Sequence, residues 1–272
     1  MVDGLHPEMT LPTFLASETF GVGDTVTLGE DEAQHIRVRR LVLGEEVGLL
    51  DGRGLRGTGV LVRLARRHAA VSVRTSELMT PAPSVHLMLP VAERDRMLWL
   101  AEKATELCAT SWRPVLWKHS RSVIPRGEGP VFQQKVAARM ASALEQSRGA
   151  WLPVVYPDAT PERAITATPE GTRLVLDIRG EPITTVVARA LDSGREQRTP
   201  RMDPVTLALG PAGGFEEREI AMMEQAGFVA ASLGHTTLRF ETAGVAALAV
   251  VRAAIAASAA SHPRPHGEVK RG

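Results

Sequence analysis

The stretch Val205-Thr206-Leu207-Ala208-Leu209-Gly210-Pro211-Ala212-Gly213-Gly214-Phe215-Glu216-Glu217 decides the architecture. Its first five residues form an apolar run too short for a helix, which reads as a strand buried on both faces. Three glycines and a proline break that run, and the acids from Glu216 onward favour the start of a helix. The same order recurs on both sides. Leu87-Met88-Leu89 precedes a helical stretch at 94–107, and Pro114-Val115-Leu116-Trp117 precedes one at 131–147. Leu174-Val175-Leu176 precedes 183–191, and the run 228–233 precedes 242–260. Strand and helix alternating in this way predict an α/β parallel sheet covered on both faces, whose ligands bind beyond the carboxyl ends of the strands. The loops after Leu176, Leu209 and Leu233 are therefore where chemistry is expected.

Before about residue 79 the period is different. Thr25-Val26-Thr27-Leu28, Val47-Gly48-Leu49-Leu50, Gly59-Val60-Leu61-Val62 and Ala70-Val71-Ser72-Val73 are short and β-branched, and Asp51-Gly52-Arg53-Gly54 marks a turn. That spacing predicts a small β-barrel or sandwich. Thr80-Pro81-Ala82-Pro83 reads as the linker, which places one domain at 1–80 and a second at 84–260. The tail 261–272, rich in Pro, His, Gly and charge, is expected to be disordered.

The 272 residues carry 32 Lys+Arg against 31 Asp+Glu, a formal net charge of +1 that on its face argues against a polyanionic partner. The sign is partitioned along the chain, however. Residues 1–33 hold seven acids and no Lys or Arg, residues 34–74 hold nine Arg against three acids, and residues 93–151 hold ten cations against six acids. A local basic face is what a polyanion meets within a Debye length of about 8–10 Å. With 4 Trp, 1 Tyr and 6 Phe the chain is too poor in rings for an extended stacking platform. A single cysteine, Cys108, excludes an internal disulfide and a cysteine-built zinc site, so no metal is expected and the reducing cytoplasm is the expected compartment. Cys108 lies in an apolar helical pattern and is expected in the core, while His35 and His119 read as polar surface or capping residues. No apolar run reaches the roughly 18 residues of a membrane span, and the acidic N-terminus, with no cation before Arg37, does not read as a signal peptide.

Two loops could carry chemistry. The loop 209–217 is neither Gly-x-Gly-x-x-Gly nor a phosphate loop, so a plain tight turn and a backbone cradle for a ligand both fit it. In Leu233-Gly234-His235-Thr236-Thr237-Leu238-Arg239-Phe240-Glu241-Thr242-Ala243, Arg239 could pair with Glu241 and Thr242 could cap the following helix. Alternatively, the three side chains share one crevice.

Taken together and in order, these motifs resemble the SPOUT-class RsmE methyltransferases. The resemblance rests on Gly210-Pro211-Ala212-Gly213-Gly214-Phe215 followed by Leu233-Gly234 and Leu238-Arg239-x-Glu241-Thr242-Ala243. Further matches are His35-Ile36-Arg37-Val38-Arg39-Arg40, Asp51-Gly52, Arg96-Met97-x-Trp99, Lys103-Ala104-Thr105-Glu106-Leu107, Arg121-Ser122-Val123 and Glu145-Gln146-Ser147-Arg148, covering about residues 10–258. There are departures: Ala212 stands where the family's loop usually has Glu, Cys108 where Gly is usual, and Ser120 where an acid commonly precedes Arg121.

The resemblance implies a PUA-like β-barrel followed by a SPOUT α/β domain with a C-terminal trefoil knot. It implies methyl transfer from S-adenosyl-L-methionine to N3 of a uridine in small-subunit (16S) ribosomal RNA, free or in the 30S subunit. The cofactor would be held by Leu176, Asp177, Ile178, Leu209, Gly210, Pro211, Gly213, Gly214, Leu233, Gly234, Thr236 and Leu238. Arg239 and Arg121 would stabilise charge on the uracil, Glu241 would accept the proton or hold Arg239, and Thr242 would complete the site. Arg37, Arg39, Arg40, Arg63, Arg66, Arg67, Arg94 and Arg126, with Arg113 and Lys118, would face the RNA. A homodimer is implied, with Trp99-Leu100 and the stretch 245–255 as candidate contact surfaces. Alternatives are a SPOUT enzyme with another target nucleoside, a non-catalytic RNA-binding assembly factor motivated by Ala212, and a generic nucleotide-binding protein.

Overall fold

The computed structural model describes residues 11–122, 126–196 and 203–260, so the tail 261–272 lies outside the described residues. In chain order the elements are β1 (Thr13–Leu15), β2 (Thr25–Leu28), α1 (Glu30–Val38), β3 (Glu46–Leu50), β4 (Leu55–Leu64), β5 (Ala69–Leu78), β6 (Val85–Pro90) and α2 (Arg94–Glu106). There follow β7 (Ser111–Val115), a short 3₁₀ helix at Lys118–Ser122, α3 (Pro130–Ser147), β8 (Val154–Val155), α4 (Pro161–Thr166) and β9 (Thr172–Pro182). The chain ends with α5 (Ile183–Glu196), β10 (Val205–Ala208), α6 (Glu217–Gln225), β11 (Phe228–Ser232) and α7 (Phe240–Ala260). Two compact units result. Of the described residues, one unit holds those up to Ala82 with Ala101–Thr110 and Val131–Val155, and the other holds Pro83–Leu100, those from Ser111 to Pro130 and those from Tyr156 onward.

In the first unit a five-stranded sheet runs β1-β3-β4-β5-β2, parallel at β1/β3 and antiparallel elsewhere. Phe14, Leu28, Ile36, Leu49, Leu61 and Val71 fill its core. A reading of strands alone fails at α1, where Ala33 and Ile36 are the buried residues. Glu30, Asp31 and Glu32 occupy its first turn and Arg37 its last, the arrangement a helix dipole favours. The acidic lead-in thus ends as a helix start.

Helices α1 and α2 both close through a residue in the left-handed region, Arg40 at φ 60° and Cys108 at φ 56°. After α2 the Ala109 amide donates to Ala104 O at 2.8 Å and the Cys108 amide to Thr105 O at 2.9 Å, a Schellman closure in which glycine is the favoured residue at the Cys108 position. Cys108 is exposed, which corrects the expectation that it lies in the core. The apolar period stops with α2, and the turn carries the next side chain outward. Cys108→Gly is expected to stabilise the protein by about 1 kcal/mol by removing the Cβ clash of a left-handed residue, read as a raised urea midpoint.

Helix α3 buries Phe132, Val136, Met140, Ala143 and Leu144 along one face. Its Glu145 Oε1 accepts the Leu15 amide at 2.9 Å, and burial pushes the Glu145 carboxyl above its usual range. A raised carboxyl takes up a proton on folding. Its stabilising contribution is therefore complete below the ordinary pKa and is lost as pH rises through the elevated one. Glu145→Gln keeps an acceptor for Leu15 and removes the buried charge. It is expected to be more stable than the native chain at pH 8, with the difference between their urea midpoints vanishing by about pH 4.

The parallel sheet runs β11-β9-β10-β6-β7-β8. Strand β10 is buried along its whole length, as its apolar run requires. Met88, Val115, Trp117, Val175, Ala208, Met223 and Phe228 form one core cluster on this sheet. The strand expected at 114–117 begins earlier, at Ser111, and β9 continues past Leu176 to Pro182. Helix α7 is long and apolar enough by composition to cross a membrane, contrary to the expectation that no apolar stretch reaches that length. It packs within the second unit through Gly244, Ala247, Leu248, Val251 and Ile255. A Cβ on Gly244 would lie 3.0 Å from both Leu100 and Leu209, so the small residue lets α7 close on its neighbours.

Candidate active site

A cavity of about 310 Å³ opens at the carboxyl ends of β10 and β11 and at an interruption midway along β9. Three backbone-rich segments wall it. The first is a bulge in β9: pairing with β11 jumps from Val175–Ala230 to Glu181–Ala231, which throws residues 176–180 out of the ladder. Leu176, Asp177, Ile178 and Arg179 of this bulge line the cavity. Asp177 Oδ1 accepts the Arg179 amide at 2.8 Å, and the Arg179 guanidinium reaches both carboxylate oxygens at 3.0 and 2.8 Å. Those charged hydrogen bonds hold Asp177 below the usual carboxylate range, so it is an anion in the wall.

The second segment follows β10 and contributes Leu209, Gly210, Pro211, Ala212, Gly214 and Phe215. The Gly214 amide closes a turn onto Pro211 O at 2.8 Å, and Gly214 has φ 75°. The Glu216 amide then donates to Glu219 Oε2 at 2.9 Å, which starts α6. The third segment links β11 to α7 through Leu233, Gly234, Thr236, Thr237, Leu238 and Arg239. Ser232 Oγ braces it, donating to Gly234 O at 2.9 Å.

Eleven of the twelve residues expected to hold a cofactor line this one cavity; Gly213 does not, and packs on His119 instead. Arg239 is on the wall, while Glu241 and Thr242 are not. The Arg121 backbone lies in the 3₁₀ helix, and its side chain lies outside the described residues.

Both simple readings of the 239–242 segment are corrected. Glu241 does not pair with Arg239; its Oε1 lies 3.5 Å from Arg96 Nη1, and Arg96 Nε binds Glu93 at 2.8 Å. Residues two apart at a helix start face different sides, so the buried Glu241 turns from the cavity towards α2. Its Oε2 has no hydrogen-bond partner among the described residues. Thr242 is not the cap either, because α7 begins at Phe240 and the Arg239 carbonyl accepts the Ala243 amide at 2.9 Å. The cap position is Arg239 itself. Arg96, Arg179, Phe215, Ser232 and Phe240, with Ala231 and Ala243, complete the wall and were not named from sequence as site residues. Arg96 had a signal, since Arg96-Met97-x-Trp99 is a matched motif, but its spacing from Glu241 conceals the contact.

The basic residues divide by what they already hold. Arg37 Nη1 donates to Ala65 O and Arg66 O at 2.8 and 2.7 Å, pinning the β4–β5 turn. Arg67 lies 3.8 Å from Glu30, and Arg94 Nε donates to Arg126 O at 3.1 Å. Arg113 stacks 3.9 Å over Tyr156, and Lys118 pairs with Glu216 at 3.1 Å. Arg39, Arg40, Arg63 and Arg66 are exposed.

A family model described as RNA methyltransferase domain matches residues 80–252, and one described as RNA methyltransferase PUA domain matches residues 28–74. Ribosomal RNA small subunit methyltransferase E of Mycobacterium bovis is 30% identical over 247 residues, covering 84% of this chain and 86% of the relative. The chain belongs to the RsmE family of RNA methyltransferases. Among solved structures of similar fold, that of the Neisseria gonorrhoeae ribosomal RNA small subunit methyltransferase E, bound to S-adenosyl methionine, has a TM-score of 0.76 at 27% identity, covering 89% of this chain and 97% of that one. A probable rRNA-methyltransferase from Porphyromonas gingivalis has a TM-score of 0.71 at 26% identity, covering 91% and 99%. For an RsmE-family chain, the cavity's place at the strand ends of the matched methyltransferase domain makes it the candidate cofactor site.

Proposed function

We propose that this chain transfers a methyl group from S-adenosylmethionine to N3 of a uridine in small-subunit ribosomal RNA. The observation that carries the reading is the convergence of three loops, distant in sequence, on one cavity with Arg239 in its wall. The cavity suits the cofactor. Its volume is at the lower end of the usual range for small-molecule sites, and its walls are apolar at Leu176, Ile178, Leu209, Leu233 and Leu238. When bound, the sulfonium supplies an activated methyl group and leaves as S-adenosylhomocysteine.

The chain's own work is to orient the uracil and offset negative charge on the carbonyls, while the N3 proton passes to water. Arg239, on the cavity wall, is assigned to that charge, with Arg121 as its partner on the RNA side. Glu241, buried and turned from the cavity onto Arg96, is assigned to holding Arg96 on the wall rather than to taking the proton. Thr242, exposed beside it, is assigned to the acceptor side.

Arg39, Arg40, Arg63 and Arg66 are proposed as the phosphate-binding face of the PUA unit. Arg39→Ala with Arg40→Ala is expected to weaken RNA binding and to reduce the slope of log K against log salt by about 1.4–1.8; an unchanged slope would place the RNA elsewhere. Three further features are proposed: a C-terminal trefoil knot, supported by membership of the RsmE family; a homodimer, supported by exposed Trp99; and a cytoplasmic site of action, supported by the single cysteine. The deciding experiment incubates the protein and labelled cofactor with 30S subunits and with bare 16S RNA, then maps modified nucleosides by mass spectrometry. Labelled 3-methyluridine is expected, and labelling of another nucleoside, or of none, would overturn the assignment.

A further inference from the structure

The short 3₁₀ helix at Lys118–Ser122 meets the glycine loop and the α6 helix that follows it at three points. The Lys118 amide donates to Glu219 Oε1 at 2.8 Å, its ammonium lies 3.1 Å from Glu216, and His119 Nδ1 lies 3.0 Å from the Gly214 carbonyl oxygen. A carbonyl only accepts, so Nδ1 carries the proton in this bond. Next to it, a Cβ on Gly213 would stand 3.0 Å from His119 Cβ and 3.1 Å from Cγ, so the base of the imidazole rests directly on that backbone. Just upstream of the 3₁₀ helix, Trp117 packs edge-on against Phe215 at 4.9 Å.

Beyond the turn from Gly214 to Pro211, the loop has little of its own to fix it. Between Pro211 and Phe215 stand only Ala212, Gly213 and Gly214, and glycine samples more backbone conformations than any other residue. Gly214 and Phe215 line the cavity, whereas His119 does not. It acts from behind the wall.

We infer that His119 is a positioning residue for the cofactor loop: its Nδ1–H, held on Gly214 O, fixes the 214–215 peptide and so the surface that the cofactor meets. This rests on the reading of the cavity as the S-adenosylmethionine site. The imidazole takes no part in the chemistry, so its loss acts on cofactor affinity and leaves the transfer step intact.

The test is calorimetric titration of S-adenosylhomocysteine into the full chain and two variants. His119→Leu keeps bulk against Gly213 and removes the donor; His119→Asn keeps an N–H donor near the Nδ1 position. The Leu variant is expected to bind about fivefold to tenfold more weakly and the Asn variant within about twofold of the native chain. The KM for S-adenosylmethionine should rise in the Leu variant with kcat changed by less than about twofold. Native affinity in the Leu variant overturns the inference, as does an Asn variant as weak as Leu. Absence of binding to the native chain would instead overturn the cofactor reading, and this inference with it. Melting without ligand reports whether each variant is folded. Should the Leu variant not fold, His119→Ala takes its place with the same expected loss, and the Asn variant must still bind like the native chain.

Discussion

Arg239→Asn is expected to abolish methyl transfer and, at the same time, to make the protein more stable. Arg239 occupies the cap position of α7, where its carbonyl accepts the Ala243 amide. A cation at that end opposes the helix dipole, and arginine offers no acceptor to the open N–H groups of the first turn. Asparagine at a cap satisfies one of them. The exchange should gain about 1 kcal/mol, which for a chain of this size raises Tm by about 2–4 °C. Transfer should fall by a factor of about 10²–10³, the usual loss when a positioned charge is removed from a developing anion. Binding of S-adenosylhomocysteine should stay within a few-fold, because the loop backbone supplies most of the wall. Single-turnover transfer and a melting curve on one preparation test both halves. A variant that is active within a few-fold would remove Arg239 from the chemistry, and one that melts earlier would show that the arginine side chain stabilises the loop by packing.

That conflict between a good cap and the residue present explains part of what the sequence conveyed. The parallel sheet was legible because strands buried on both faces read as unbroken apolar runs, as β10 does, and because glycine and proline punctuate their ends. The loops after Leu176, Leu209 and Leu233 were legible as ligand-side loops for the same reason, and of the twelve residues the family resemblance singled out there, eleven share one cavity. Helix α1 was not, since nine residues with two buried side chains give too few repeats to reveal a helical period. The bulge in β9 depends on which residue of β11 lies opposite, a property of pairing that no local pattern carries. The Glu93–Arg96–Glu241 chain joins α2 to α7, and its partners become neighbours only after the sheet forms. Cys108 shows the reverse: the apolar period carried on two residues past the end of α2, into a left-handed turn that faces solvent.

Gly180→Ala is expected to destabilise the protein strongly, and the reason is space rather than backbone freedom. Gly180 is not among the positive-φ residues, so alanine could adopt its conformation. Its Cβ, however, would stand 2.5 Å from Ala230 C and from Ala231 N, atoms of the β11 backbone at the point where pairing skips from Ala230 to Ala231. Backbone inside a sheet does not yield as a flexible side-chain tip does, so β9 and β11 must part there. The cost should be about 3 kcal/mol, a fall in Tm of about 6–12 °C. Ser232 and Leu233 follow immediately on the displaced strand, and Asp177 and Ile178 sit on the bulge, so S-adenosylhomocysteine affinity should fall with stability. Gly214→Ala is the matched contrast. Nothing lies within 4 Å of a Cβ there, and φ is 75°, so the cost is conformational alone, about 1–2 kcal/mol. If the two variants melt together, close approach of β11 to the bulge does not hold the site; if Gly180→Ala melts well below Gly214→Ala, the cavity wall depends on a glycine that contacts no ligand.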